Sequence, residues 1–356
     1  MLTTTETTLC ENEGLMTAPK KAGTRKPSMA DVARHAGVSV MTVSNAINRP
    51  DIVSEATRER VRASMDALDY RNNLVARSLR LALPRQIGYL IGPHRFAADA
   101  YMDQFLHDLA ATSERHGRNL TLISARSQEI EACEDLYYGQ MAAGFIVPNI
   151  SIGDPRLPAL AERGIPFVAY GGDPQDDTAT WNWVDTDAEK GIVLAVDHVT
   201  SLGHTELAYL GYPDELITTR YRRLGYIGAC TERGLESSLA PGRLVETGPE
   251  FTDTLVAART LLTSDDPPTA IVSATDQHAL AVVLAARELG IPVGAGVAVT
   301  GFDDSPVAGE SGFGITSIRQ PKDRIAEILV DILVGEGTGV RQELLEPELI
   351  VRSSTV

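Results

Sequence analysis

From Arg85 onward the chain alternates short β-rich runs with longer helical ones, and this alternation restricts the fold more than any other feature. QIGYLIG (86–92), LTLISA (120–125), GFIVP (144–148), PFVAY (166–170), LAYLG (207–211), TAIVSA (269–274) and VAVTGF (297–302) have the length and composition of buried strands. Between them lie amphipathic stretches such as DQFLHDLAATSERHG and DQHALAVVLAARELG. Strand and helix in turn imply βαβ units and parallel sheets. About 270 residues exceed one comfortable sheet, so two lobes are expected. Ligands of such sheets bind beyond the carboxyl ends of the strands, which places a site in the loops after these runs.

The front of the chain follows a different period. Met29, Val32, Ala33 and Ala36 form one stripe of a short helix, with Ser28 as its N-cap. Gly37 supplies a turn, and Ser39 caps a second helix running to about Asn48. There Val43 and Ile47 face inward, while Met41, Ser44, Asn45 and Asn48 lie along the outer face. A third helix after Ser54 carries Val61, Met65 and Leu68. Two helices around a tight Gly turn, braced by a third, make a helix-turn-helix whose second helix fits a major groove ~12 Å wide. The same pattern is open to a plainer reading, a helical hairpin capping a larger domain.

Charge weighs between the two. The net charge of −16 argues against a polyanionic partner, but it is unevenly spread. Residues 20–85 hold thirteen Lys and Arg against six Asp and Glu, whereas residues 86–356 hold nineteen against thirty-nine. Nucleic acid would be met by the front segment alone.

Several classes have little support. No run approaches the ~18–20 apolar residues of a membrane span. Residues 1–27 contain no apolar signal core and read as a disordered polar arm. Cys10, Cys133 and Cys230 are widely spaced without a CxxC, which fits a reduced cytoplasm and argues against a disulfide framework or zinc site. GxGxxG, GxxxxGKS and GxSxG are missing, and His198 and His204 lack metal-helix spacing. No cofactor, metal or catalytic set is expected, and the chain is read as a non-enzyme.

The front segment resembles a known headpiece. MADVARHAGVSVMTVSNAIN, VSEATRERVRASMDALDY and NLVARSLR are similar to the DNA-binding region of the lactose/galactose-repressor family. The DVAxxAGVSxxTVSxxxN core matches at Asp31, Val32, Ala33, Ala36 to Ser39, Thr42 to Ser44 and Asn48. The resemblance implies a DNA-contacting set of Ser39, Val40, Met41, Thr42, Ser44, Asn45 and Asn48. Within it, Val40, Met41 and Asn45 would read base edges, and Ser39 and Asn48 would hold phosphates. Val40 and Met41 offer only thymine-methyl contacts, which leaves Asn45 as the polar reader and much of the specificity to DNA shape. It also implies a hinge helix over Asn73–Leu79, with Asn73 and Ala76 at DNA and Leu79 as a minor-groove wedge. Arg77, Arg80 and Arg85 supply nearby charge, while Asn72 and Leu81 depart from the family's usual proline and small residue.

The body resembles the family's periplasmic-binding-protein-like domain through RGIPFVAY, AVDHVTSLGH, RRLGY, DQHALAVVLAARELGIPV, VTGFDD and TSIRQP, extending the likeness over residues 28–352. The stretch from about 230 to 262 follows it least, which predicts a trimmed lobe. By the resemblance, Asp303 receives ligand hydroxyls and Arg222 spans the cleft, a pairing suited to vicinal hydroxyls. Asp187 heads the DxxxG stretch, with Ala188 in place of the usual Asn; Thr275 stands where an Asn often binds, and Tyr101 where aromatics stack. Trp181 and Trp183, in a polar WNW stretch, could stack on a sugar, although surface or interface packing is the stronger expectation.

The expected organisation is therefore an arm (1–27), a helix-turn-helix domain (28–72), a hinge helix and linker (73–84) and a two-lobe α/β effector and dimerisation domain (85–356). The resemblance implies a cytoplasmic repressor binding a palindromic double-stranded DNA operator as a homodimer, without membrane contact and under control of a small-molecule, carbohydrate-like effector. A chain ending at Val356 without leucine heptads favours a dimer over a tetramer. Two other readings, a sugar-binding transport protein and an enzyme fused to a DNA-binding domain, leave the hinge sequence unaccounted for.

Overall fold

The structure, a computed structural model, describes residues 27–70, 84–91, 100–124, 128–335, 337 and 339–356. Asn73, Ala76 and Leu79 lie outside the described residues. The chain divides into two compact units, Met1–Arg77 and Ser78–Val356.

The first unit contains α1 (Met29–Ala36), α2 (Val40–Asn48) and α3 (Glu55–Ala67), with a 3₁₀ turn at Pro50–Ile52 before α3. A capping box starts α1. Ser28 accepts from the Asp31 backbone N–H, and the Asp31 carboxylate accepts from the Ser28 N–H at 2.9 Å and its hydroxyl at 2.6 Å. Those bonds hold the Asp31 carboxyl down to about 2. Gly37 closes α1 in the left-handed region, at φ 65°, where a side chain is disfavoured. Ser39 then opens α2 by accepting from the Thr42 N–H at 3.0 Å. Val32, Ala33, Ala36, Val43 and Val61 form the core, with Met29, Ile47, Met65 and Leu68 packed against it. Each buried Val contributes roughly 1.5–3 kcal/mol, so a core this small specifies little more than three helices.

The second unit begins with β1 (Gln86–Leu90), α4 (Ala100–Arg115), β2 (Asn119–Ile123), α5 (Glu129–Tyr138), β3 (Ala142–Pro148), α6 (Arg156–Glu162), β4 (Phe167–Tyr170) and β5 (Asn182–Thr186). The chain then crosses into a second lobe of α7 (Ala188–Ser201), β6 (Leu207–Gly211), α8 (Ile217–Glu232), β7 (Leu244–Glu246), α9 (Phe251–Leu262), β8 (Ala270–Ser273), α10 (Asp276–Glu288), β9 (Ala298–Asp303), α11 (Pro306–Gly309) and β10 (Thr316–Arg319). It returns to the first lobe for α12 (Lys322–Val334) and β11 (Gln342–Leu345), and crosses back for β12 (Glu348–Ile350). Each lobe holds a six-stranded sheet, in the orders β11-β5-β4-β3-β1-β2 and β12-β10-β9-β8-β6-β7. The strands pair in parallel except β12, which runs antiparallel to β10. Apolar cores cover both faces of both sheets, which is why the central strands read as continuous apolar runs.

Three crossings therefore join the lobes, at 186–188, 319–322 and 345–348. They are tied together: Thr186 donates to the Gln320 side-chain oxygen at 2.8 Å, and the Asp187 N–H donates to the Leu345 carbonyl at 2.8 Å. On the far side of the cleft, the Ile217 N–H donates to the Ile150 carbonyl at 3.0 Å, clasping loop to loop. Among the described residues no helix is long and apolar enough to cross a membrane.

Two expectations need correction. The second lobe is not trimmed between 230 and 262: β7 completes the sheet edge, and α9 buries Ala258, Leu261 and Leu262 against it. Within the WNW stretch Trp183 is not a surface residue: it lies on β5, buried in the first lobe's core against Gly172, where a Cβ would collide with the indole. Trp181 packs on the edge of that core. Neither Trp lines the principal cavity.

Candidate functional site

In the first unit, the face of α2 opposite the Val43 contact is open. Val40 and Met41 are exposed, Met41 by 69%. Ser39 is exposed as well, and Thr42, Ser44 and Asn45 are half-buried. Ser39 and Thr42 share a hydroxyl contact of 2.8 Å at the start of the helix. Asn48 closes α2. The helix thus offers an apolar tip at its N-terminus and an amide one turn on.

In the second unit, the carboxyl ends of both sheets meet at a cavity of about 300 Å³. Four of the five expected ligand residues, Tyr101, Arg222, Thr275 and Asp303, line it. Asp303 ends β9 at φ 106° and is followed by Asp304 at φ 46°, a costly backbone for side-chain-bearing residues. Bonds made by the Asp303 carboxylate hold it there: Gln320 Nε2 donates at 2.7 Å and Arg222 Nη2 at 3.2 Å. The Thr186 bond to Gln320 Oε1 leaves the amide nitrogen to face Asp303. Arg222, on the buried side of α8, also donates to the Ala274 carbonyl at 2.6 Å and lies 3.8 Å over the Phe302 ring. Among the described residues its Nε has no hydrogen-bond partner. Both donors address Oδ1 of Asp303, so the pair and the amide fix the carboxylate at the cavity wall.

Thr275 caps α10. Its hydroxyl accepts from the His278 N–H at 3.3 Å and meets His278 Nδ1 at 2.7 Å, so it keeps one bond to spare. His278 is fully buried, touches Thr247 through Nε2 at 3.2 Å and stands edge-on to Tyr212, 4.3 Å between ring centroids. Burial, with the nearby Arg222 charge, pushes its imidazole down to about 3 and keeps it neutral. Tyr101 meets Tyr170 hydroxyl to hydroxyl at 2.7 Å. Burial raises both phenols far above their ordinary value, so neither ionises.

Asp187 is placed differently. It caps α7, accepting from the Lys190 N–H at 2.8 Å, and lines an adjoining recess rather than the principal cavity. The carboxylate that reaches the cavity from this strand is Asp185, two residues earlier and 5% exposed. Burial pushes it up to about 7, against backbone N–H bonds from Thr186 and Gly172 and the pull of Arg222. Asp276 was also missed. It accepts from the Ser305 N–H at 2.6 Å, the Ser305 hydroxyl at 2.8 Å and the Ser317 hydroxyl, and burial raises it to about 6. Gln320 is the third omission, although it stands within the TSIRQP motif. Among the described residues no cluster of His, Cys, Asp and Glu could hold a metal, and Cys133 and Cys230 are buried free thiols.

A helix-turn-helix unit on one chain with a two-lobed α/β unit, the latter holding an inter-lobe cavity lined by charged and polar groups among apolar ones, defines a transcriptional regulator with a ligand-binding body. Residues 28–73 match the family described as bacterial regulatory proteins, lacI family, and residues 196–355 match the periplasmic binding protein-like domain. The HTH-type transcriptional regulator CelR of Thermobifida fusca is 33% identical over 340 residues, 93% of this chain and 98% of CelR. Among solved structures, the lac repressor dimer bound to operator and the anti-inducer ONPF superposes with a TM-score of 0.79 at 26% identity, covering 93% of this chain and all of that one. The CelR–cellobiose complex superposes with a TM-score of 0.67 at 27% identity, covering 92% of this chain and 99% of that one. The chain belongs to the lacI family of bacterial transcriptional regulators.

Proposed function

We propose that this protein is a cytoplasmic repressor that binds a palindromic operator as a homodimer and is controlled by a carbohydrate held between its lobes. The observation that carries the reading is one chain holding both an exposed α2, apolar at its tip with an amide one turn on, and an inter-lobe cavity lined by the Arg222–Asp303 pair. Val40, Met41 and Asn45 read base edges, Ser39, Thr42, Ser44 and Asn48 position the helix on phosphates, and Asn73, Ala76 and Leu79 form the hinge contacts. Tyr101, Arg222, Thr275 and Asp303 hold the effector, while Asp187 fixes the start of α7 beside it. The protein acts by binding, not catalysis. The 1–27, 28–72, 73–84 and 85–356 division assigns arm, DNA reading, hinge and effector sensing in that order.

Effector binding changes the balance between DNA-competent and DNA-incompetent states only by its difference in affinity for the two, and DNA binding must alter effector affinity by the same factor. Asp303→Ala tests this directly. Operator affinity should stay within about twofold of wild type while the effector response is lost, read by fluorescence anisotropy on operator DNA with and without sugar. An unchanged response would move the effector site elsewhere.

A further inference from the structure

The groups around the inter-lobe cavity are unequal in sign. Three carboxylates line it, Asp185, Asp276 and Asp303, against one described cation, Arg222. Two of the three are answered: Asp303 by Arg222 and Gln320, Asp276 by two hydroxyls and a backbone amide. Asp185 receives only backbone N–H groups, and among the described residues no Lys or Arg forms an ion pair with it. It stands on β5 of the first lobe, whereas Asp303 stands on β9 of the second. A ligand in the cleft is therefore flanked by carboxylates from both walls.

We propose that Asp185 sets the charge specificity of the cleft, selecting neutral or amino-substituted carbohydrates and rejecting those that carry a carboxylate or phosphate. The proposal rests on the reading of the cleft as the effector site. A buried carboxylate with spare lone pairs accepts from ligand hydroxyl or ammonium donors. An anion beside it pays both its own desolvation and like-charge repulsion at low dielectric. The single Arg222 offsets this only in part, because one positive charge faces three carboxylates and is already paired with Asp303. Asp185→Asn preserves the shape and one acceptor oxygen for the Thr186 N–H while removing the charge.

The test is a series of equal size and different charge, 6-amino-6-deoxy sugar, parent sugar and uronate, built on glucose and on galactose. Binding to the full-length protein is measured by isothermal titration calorimetry at pH 8. The parent and amino sugars should bind at least about tenfold more tightly than the uronate, and Asp185→Asn should narrow that gap. A uronate that binds wild type as tightly as its parent would overturn the role of Asp185 while leaving the cleft reading intact. A gap that Asp185→Asn leaves unchanged, with the variant folded, would equally overturn it. Failure of every member to bind would overturn the carbohydrate reading and this proposal together.

Discussion

At the scale of single residues, the cleft is held by groups whose favourable state depends on a partner. Asp303 tolerates a left-handed backbone because Arg222 and Gln320 bind its carboxylate. Removing the carboxylate leaves Arg222 buried and uncompensated, an effect that costs roughly 3–5 kcal/mol in comparable buried pairs. Asp303→Asn keeps an acceptor oxygen and should lower the melting temperature less than Asp303→Ala does; equal losses would mean that the charge, which both variants remove, and not the acceptor oxygen, holds Arg222. Asp185 makes a pH-dependent prediction. Its folded value of about 7 lies above its ordinary 3.8, so between those values the folded state holds a proton that the unfolded chain has released. That proton's contribution is complete below pH ~4 and is lost as pH rises through 7. Asp185→Asn should therefore gain stability relative to wild type at pH 8 but not at pH 4, in thermal melts monitored by circular dichroism. A gain that is the same at both would show that the carboxyl is not perturbed.

At the scale of elements, capping decides the headpiece. Gly37 sits at φ 65° with open space where a Cβ would be, so Gly37→Ala meets no clash and loses only backbone preference. It should cost about 1 kcal/mol in chemical denaturation of the headpiece transition, the usual difference at a left-handed cap. Ser28, Gly37 and Ser39 were legible because caps are local. So were β1, β3, β4, β6, β8 and β9, whose apolar runs are buried on both faces. β5 was not, because Asn182, Asp185 and Thr186 interrupt its apolar pattern where it serves the cleft and crossing. β7, β11 and β12 are short edge strands of three or four residues with half-exposed side chains, too brief to show a period. The site was read in the same uneven way. Arg222 and Asp303 stand in recognisable motifs, whereas motif matching favoured Asp187 over Asp185. The strand ends at Thr186 and the chain turns into α7, so residues two apart no longer share a face.

At the scale of the whole molecule, the two sheets are joined by three crossings cross-linked through Thr186–Gln320 and Asp187–Leu345. One crossing bond, from Thr186, ends on the same Gln320 that holds Asp303, so the cleft and the lobe connection share a side chain. Gln320→Ala should therefore weaken effector binding and also blunt the response of DNA binding to saturating effector; loss of affinity with a full response at saturation would confine Gln320 to the pocket. The central claim, sequence-specific DNA binding under effector control, is tested most directly by incubating the purified protein with fragmented genomic DNA and sequencing what it retains, with and without sugar pools. The account predicts one shared palindrome whose recovery changes with a sugar pool. Retained DNA with no shared palindrome, or recovery indifferent to every pool, would contradict it.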